Sequence, residues 1–132
     1  MLKYLSYMLS TFTNLFSTMQ NAQRKNSSTV LVRHTRWTQS LINVMVDQGL
    51  LRGYTREGYQ LCLQLKPGAW DTIKQVSKSS KRVYIGNNET DKLTLKQGLG
   101  VVIISTPRGM FTADEAKVLN IGGEIICKIY NR

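Results

Sequence analysis

The stretch Gly98-Leu-Gly-Val-Val-Ile-Ile-Ser-Thr-Pro-Arg-Gly109, running on through Gly123-Glu124, constrains this chain more than any other. Val101 to Ile104 are consecutive β-formers, too short a run for a helix and too apolar for an exposed edge, so they predict a buried strand. Ser105, Thr106, Pro107, Arg108 and Gly109 then set two hydroxyls, a fixed φ, one cation and one permissive residue at the strand's exit, which predicts an exposed polar turn. Thr112 and Glu115 have capping-box spacing, so a helix should begin near Ala113, with Gly122 ending it in a left-handed conformation. Ile125, Ile126, Ile129 and Tyr130 predict a closing strand. The unit holds no acid–base pair and reads as a rigid polar turn presented to a partner.

Upstream, Leu2, Leu5, Leu9, Phe12, Phe16 and Met19 recur at steps of three and four, the stripe of one helical face. A membrane-surface helix would carry Lys and Arg opposite that stripe; here the opposite face is Ser, Thr and Asn, so a core-packed helix is expected. Asn21 to Ser28 reads as a polar connection, Thr29–Val32 as a strand, Arg33–Arg36 as a basic turn, and Trp37 to Gln48 as a helix closed by Gly49. Leu50–Tyr54 and Tyr59–Leu65 read as two strands around a Thr55–Gly58 turn, the second with Tyr59, Leu61, Leu63 and Leu65 on its buried face. Lys66-Pro67-Gly68 breaks the pattern. Beyond it, Trp70–Val76 is one helical turn or a strand, Val83–Ile85 a short strand, Gly86–Asp91 a loop, and Leu93–Gln97 the lead into the C-terminal unit. The expected fold is α+β in two small subdomains: an α-β-α-β-β unit over residues 1–66, and a mostly antiparallel β unit with a short helix over residues 67–132.

Charge narrows the partner. The chain has 132 residues and a formal charge of +10, and residues 1–46 carry five cations but no acid before Asp47. Such an excess favours a polyanion, nucleic acid being the commonest. The basic turns Arg24-Lys25, Arg33/Arg36 and Lys78/Lys81/Arg82 are each readable as solvated loops; together they form an electrostatic footprint. Ser105, Thr106 and Arg108 suit hydrogen bonding to phosphate, ribose hydroxyls or base edges, and equally suit a turn satisfying its own backbone.

Other chemistries fit poorly. Cys62 and Cys127 form no C-x-x-C and His34 is the only histidine, so a zinc site lacks ligands; no metal or cofactor is expected. Both thiols lie in apolar strand-like runs, as buried free cysteines do, which fits a reducing compartment. Gly98-x-Gly100 precedes a strand and has Ile103 at the third glycine position, so it is no dinucleotide fingerprint. A nucleophilic Ser105 has no adjacent base in sequence, and Asp114 and Glu115 would repel an anion from the start of the short helix. No membrane span or removable leader is expected from residues 1–19.

The motif Gly98-Leu-Gly-Val-Val-Ile-Ile-Ser-Thr-Pro-Arg-Gly-Met-Phe-Thr-Ala-Asp-Glu-Ala, followed by Ile121-Gly-Gly-Glu-Ile-Ile-Cys127, closely resembles the C-terminal signature of the bacterial-type small-subunit ribosomal protein S-eight family. The resemblance runs over nearly the whole chain, with Gly49-Leu-Leu51 and Val76-Ser77…Arg82-Val-Tyr84 in order. It implies a non-catalytic protein that binds a helical region in the central domain of small-subunit ribosomal RNA early in assembly, beside other small-subunit proteins, with no membrane and no small-molecule substrate. It assigns RNA contact to Ser105, Thr106, Pro107, Arg108, Gly109, Gly122, Gly123 and Glu124, with Arg24, Lys25, Arg33, Arg36, Lys81, Arg82 and Tyr84 in support. The alternative is an RNA- or DNA-binding module outside the ribosome.

The chain departs from the family pattern at several points. Pro107 stands where a small polar residue is usual, which removes one hydroxyl and one N–H. Phe111 replaces an aliphatic residue, and Ser79-Ser80 occupies a common Pro-Gly turn. The usual acidic, Arg-containing start of the first helix is replaced by Leu, Tyr, Ser and Thr. Such drift suits an organellar ribosome and points to the mitochondrion before the plastid or the bacterial cytoplasm.

Overall fold

A computed structural model describes residues 2–86 and 100–130. The expected loop beyond Gly86, the lead-in Leu93–Gln97 and Gly98 lie outside the described residues. The first helix, α1 (Leu2–Arg24), buries Leu9, Phe12, Phe16 and Met19 of the predicted stripe, whose other two side chains, Leu2 and Leu5, lie outside the described residues. Full burial of each such side chain contributes about 1.5–3 kcal/mol. The helix runs further than its polar C-terminal residues suggest. Asn26 takes the left-handed conformation (φ 57°), letting Ser27 N–H reach Ala22 O (3.0 Å) and Asn26 N–H reach Gln23 O (3.1 Å). That is a Schellman-type cap with Asn in the role usually given to Gly.

The uncharged face of α1 also has a tertiary task. Gln20 Nε2 donates to Asp71 O (2.8 Å) while its Oε1 accepts from Ile73 N–H (2.9 Å). Gln23 Nε2 donates to Trp70 O (3.1 Å), and Gln75 Nε2 donates to Leu9 O (3.1 Å). These bonds fasten α1 to the chain that follows Pro67.

Strand β1 (Thr29–Arg33) leads through His34 and Thr35 into α2 (Arg36–Asp47). Thr35 caps α2 by accepting from Thr38 N–H (3.0 Å), and the helix buries Leu41, Ile42, Val44 and Met45. Strands β2 (Leu51–Glu57) and β3 (Gln60–Leu65) complete an antiparallel sheet of order β1-β3-β2. The β2–β3 turn is tighter than expected. Thr55, Arg56 and Glu57 stay in the strand, and the reversal is made by Gly58 (φ 63°) and Tyr59 alone. Tyr59 is therefore 88% exposed, while Leu61, Leu63 and Leu65 line the buried face.

The C-terminal half holds β4 (Thr72–Gln75), β5 (Tyr84–Ile85), β6 (Gly100–Thr106), β7 (Gly109–Thr112), α3 (Ala113–Leu119) and β8 (Gly123–Tyr130). The segment Trp70–Val76, open between helix and strand on sequence, contains β4. All the pairings are antiparallel. β8 is central, with β6 on one side and β4 then β5 along the other, and β7 lies outside β6. The sequence therefore encodes the α+β class it predicts.

β6 is covered on both faces, which explains its unbroken apolar run. Ile103 joins the large core formed by α1, α2, β2, β3, Trp70, Ile73, Ile126 and Ile129. Val102 and Ile104 join a smaller core under α3 with Ala113, Ala116 and Ile125. A register shift between Ile103 and Ile104 sets both Ile126 and Cys127 into the large core. α3 starts at the predicted capping box, with Thr112 Oγ1 accepting from Glu115 N–H (3.2 Å) and Glu115 Oε1 accepting from Thr112 N–H (3.1 Å). It ends at Asn120 (φ 57°), not at Gly122, which lies in the connection to β8 without a positive φ. Asn reaches the left-handed region at modest cost, so the helix stops two residues before the glycine pair.

Candidate nucleic-acid interface

Strand register brings distant residues into one row. Tyr84 of β5 faces Glu124 of β8, Glu124 faces Ser105 of β6, and Ser105 faces Met110 of β7. Directly opposed residues project to the same side, so the four span about 14 Å at the usual strand separation. Tyr84 is 62% exposed, Ser105 and Met110 are half-buried, and Glu124 is only 5% exposed.

Arg82 answers the buried carboxylate. Its Nε and Nη2 donate to Glu124 Oε2 and Oε1 at 2.7 and 2.8 Å. Its guanidinium carbon lies 5.2 Å from the Tyr84 ring centroid. The Glu124 hydrogen bond raises the Arg82 pKa, and burial opposes it. The result is an exposed aromatic ring backed by a fixed cation. Ser77, fully buried, holds the preceding loop shut: its Oγ accepts from Val83 N–H (2.9 Å) and donates to Val83 O (3.2 Å).

Beside Ser105 the β6–β7 hairpin turns through Pro107 and Arg108 alone, because Thr106 still pairs with Gly109. Ser105 and Thr106 are thus strand residues, not members of an open turn: Ser105 pairs with both β7 and β8, and Thr106 still pairs with β7. Thr106 is buried, donates through Oγ1 to Gly109 O (2.8 Å) and accepts from Arg108 N–H (3.2 Å). Pro107, Arg108 and Gly109 are exposed. Gly109 has φ 127°, which L side chains rarely adopt. Gly123 is needed for space: a Cβ there would fall inside contact distance of the Ser105 carbonyl oxygen. Gly122 is half-buried just before it.

The supporting cations divide. Arg82 joins the Tyr84 end of the site, whereas Lys81 pairs with Lys78 across a short reversal and lines a groove with Lys74 and Lys128. Arg24 lies at the end of α1, where it lines a cavity together with Trp70 and Asp71, and Lys25 follows it. Asp71 N–H bonds Tyr130 O (2.8 Å), at the far end of β8 and about 20 Å along that strand from Glu124. Arg33 ends β1 and Arg36 begins α2, both exposed, flanking His34, whose Nε2 shares a 2.7 Å hydrogen bond with Gln39 Oε1. Sequence reasoning missed Lys74 and Lys128, which face each other across β4 and β8. Their signal was a lone cation within each of two otherwise uncharged strand runs, Thr72–Gln75 and Ile125–Tyr130.

Among the described residues no group of three or more His, Cys, Asp and Glu gathers as a metal site, and no helix is long and apolar enough to cross a membrane. Fold and site define a basic α+β protein whose C-terminal sheet carries an exposed aromatic, a hydroxyl and a cationic hairpin tip. Comparison with known proteins agrees with that class. Residues 10–130 match the family described as Ribosomal protein S8. The chain is 30% identical over 126 residues to the small ribosomal subunit protein uS8 of Ruegeria sp. (strain TM1040), covering 89% of this chain and 95% of that protein. It is 32% identical over 126 residues to uS8 of Paramagnetospirillum magneticum, covering 89% and 94%, and 28% identical over 133 residues to uS8 of Thermus aquaticus, covering 89% and 95%. The chain belongs to the ribosomal protein S8 family, and so is a ribosomal protein of the small subunit.

Proposed function

We propose that the chain binds the central domain of small-subunit ribosomal RNA through its C-terminal sheet and helps assemble the subunit, without catalysing a reaction. The row Tyr84–Glu124–Ser105, next to the Pro107–Arg108 tip, carries this reading. Tyr84 offers a stacking face to an unpaired base, Ser105 a donor and acceptor to a ribose or base edge, and Arg108 a charge to phosphate. Thr106 and Glu124 act by positioning: one fixes the hairpin, the other fixes Arg82 beneath Tyr84. Gly109, Gly122 and Gly123 keep the backbone low where RNA approaches. Arg24, Lys25, Arg33, Arg36 and Lys81 add affinity without sequence information.

We place the protein in the mitochondrial ribosome, next to other small-subunit proteins. Its departures from the family pattern at Pro107, Phe111, Ser79-Ser80 and the start of the first helix support that assignment. Gel-shift titration of the full chain against a central-domain ribosomal RNA fragment and an unrelated RNA of equal length tests the binding. A preference of at least tenfold for the ribosomal fragment, reduced by Tyr84→Ala and Ser105→Ala, is the expected result. Equal affinity for both RNAs would overturn direct readout by this row.

A further inference from the structure

Four lysines converge on the side of the C-terminal sheet that faces away from the Tyr84–Ser105 row. Lys74 and Lys128 are directly opposed in the β4–β8 register, on the side to which Val102 projects. Lys78 and Lys81 close a two-residue reversal through mutual backbone bonds, Lys78 N–H to Lys81 O (2.8 Å) and Lys81 N–H to Lys78 O (3.0 Å). The buried Ser77–Val83 hydrogen bonds hold this reversal in place. All four lysines line one shallow groove with Val76 and Tyr130. None of them has an ion-pair partner among the described residues.

Like charges directly across a sheet repel, so the arrangement works against folding unless something offsets it. An edge strand often carries lysine to block edge-to-edge pairing, which accounts for Lys74 on β4. It does not account for Lys128, because β8 is paired on both sides. The groove contains no Arg, the side chain whose planar fork matches a carboxylate. Lysine ammoniums are point charges with rotatable donors, suited to a row of phosphates in variable geometry.

We infer that the Lys74/Lys78/Lys81/Lys128 groove is a second RNA contact, gripping a phosphodiester backbone independently of sequence. It lies on the opposite face of the sheet from Tyr84 and Ser105, so the protein holds two RNA segments, or one that passes round the β4–β5 edge. The inference rests on the proposed ribosomal RNA binding and adds a second face to it.

The test uses the full chain, the central-domain RNA fragment, and variants Lys78→Gln/Lys81→Gln and Lys74→Gln/Lys128→Gln, with Lys66→Gln as an exposed control outside the groove. Each double variant should lose about tenfold in affinity and lower the slope of log K against log salt by about 2. The loss should be equal for ribosomal and unrelated RNA, and Lys66→Gln should change neither value. The loop pair tests the groove even if the strand pair disturbs the sheet. Unchanged affinity and slope would overturn the inference. Unchanged RNA binding with lost retention in small-subunit particles would also overturn it, assigning the groove to an acidic protein surface. Absence of RNA binding by the unaltered chain would sink the underlying function instead, so the two failures are distinguishable.

Discussion

Arg82 holds Glu124 through two parallel N–H···O bonds of 2.7 and 2.8 Å, and the same guanidinium lies 5.2 Å from the centre of the Tyr84 ring. The carboxylate is almost fully buried, and the pair links the loop after β4 to the start of the central strand β8. Removing one partner strands the other charge away from water, and that cost exceeds what the pair contributes over an apolar replacement. Arg82→Leu should therefore destabilise the protein by about 2–4 kcal/mol, and Arg82→Leu/Glu124→Leu should recover most of the loss. Urea unfolding of the single and double variants checks this. Additive losses would show that the two side chains act separately.

The two glycines at this end of the sheet fail differently when substituted. Gly123→Ala drives a Cβ into the Ser105 carbonyl and should separate β6 from β8, costing about 2 kcal/mol or more. Gly109→Ala meets open space but must hold φ at 127°, with an expected cost of about 1–2 kcal/mol. Thermal melts should rank Gly123→Ala as the more damaging, and the reverse order would contradict the close β6–β8 approach.

Neighbouring hydroxyls should separate in the same way. Thr106→Ala removes both hairpin bonds of its side chain and should lower stability by about 1 kcal/mol. Ser105→Ala should leave the melting temperature nearly unchanged while weakening cognate RNA binding. Tyr84→Ala should lower affinity by about 1–3 kcal/mol, the usual value of a base stacked on an aromatic ring, with the fold intact. Paired melting and gel-shift measurements on the three variants decide the matter.

How legible each feature was in the sequence follows from how local its cause is. The Leu9–Met19 part of the α1 stripe, the Thr112–Glu115 box and the buried Val102–Ile104 run each depend on residues within one helix or one strand, and they appear where the pattern puts them. Asn26 and Asn120 end helices that the sequence suggested would end elsewhere, because asparagine carries a fainter left-handed signal than glycine. Ser105 and Thr106 resembled a turn because hydroxyls favour turns, yet pairing with β7 and β8 keeps them extended. The Arg82–Glu124 pair spans 42 residues, and the Lys74–Lys128 opposition exists only in one register. Neither follows from any local pattern.

The cysteines should also differ. Cys127 is fully buried in the larger core, and burial pushes its thiol pKa up, whereas Cys62 is half-exposed on β3. Iodoacetamide at neutral pH should label Cys62 in the native protein and reach Cys127 only after unfolding. The sign for stability follows from the raised folded-state pKa. The contribution of Cys127 is complete below the ordinary thiol value of 9.0 and declines as pH rises above it, because only the unfolded thiol ionises there. Native labelling of Cys127 as fast as Cys62 would contradict its position in the core.

The most direct test of the central claim is sedimentation of tagged protein from mitochondrial lysate, with sequencing of the RNA it retains. Recovery in small-subunit particles, enriched for the central domain of the ribosomal RNA and diminished by Tyr84→Ala/Ser105→Ala, is the expected result. Recovery in light fractions free of ribosomal RNA would contradict it.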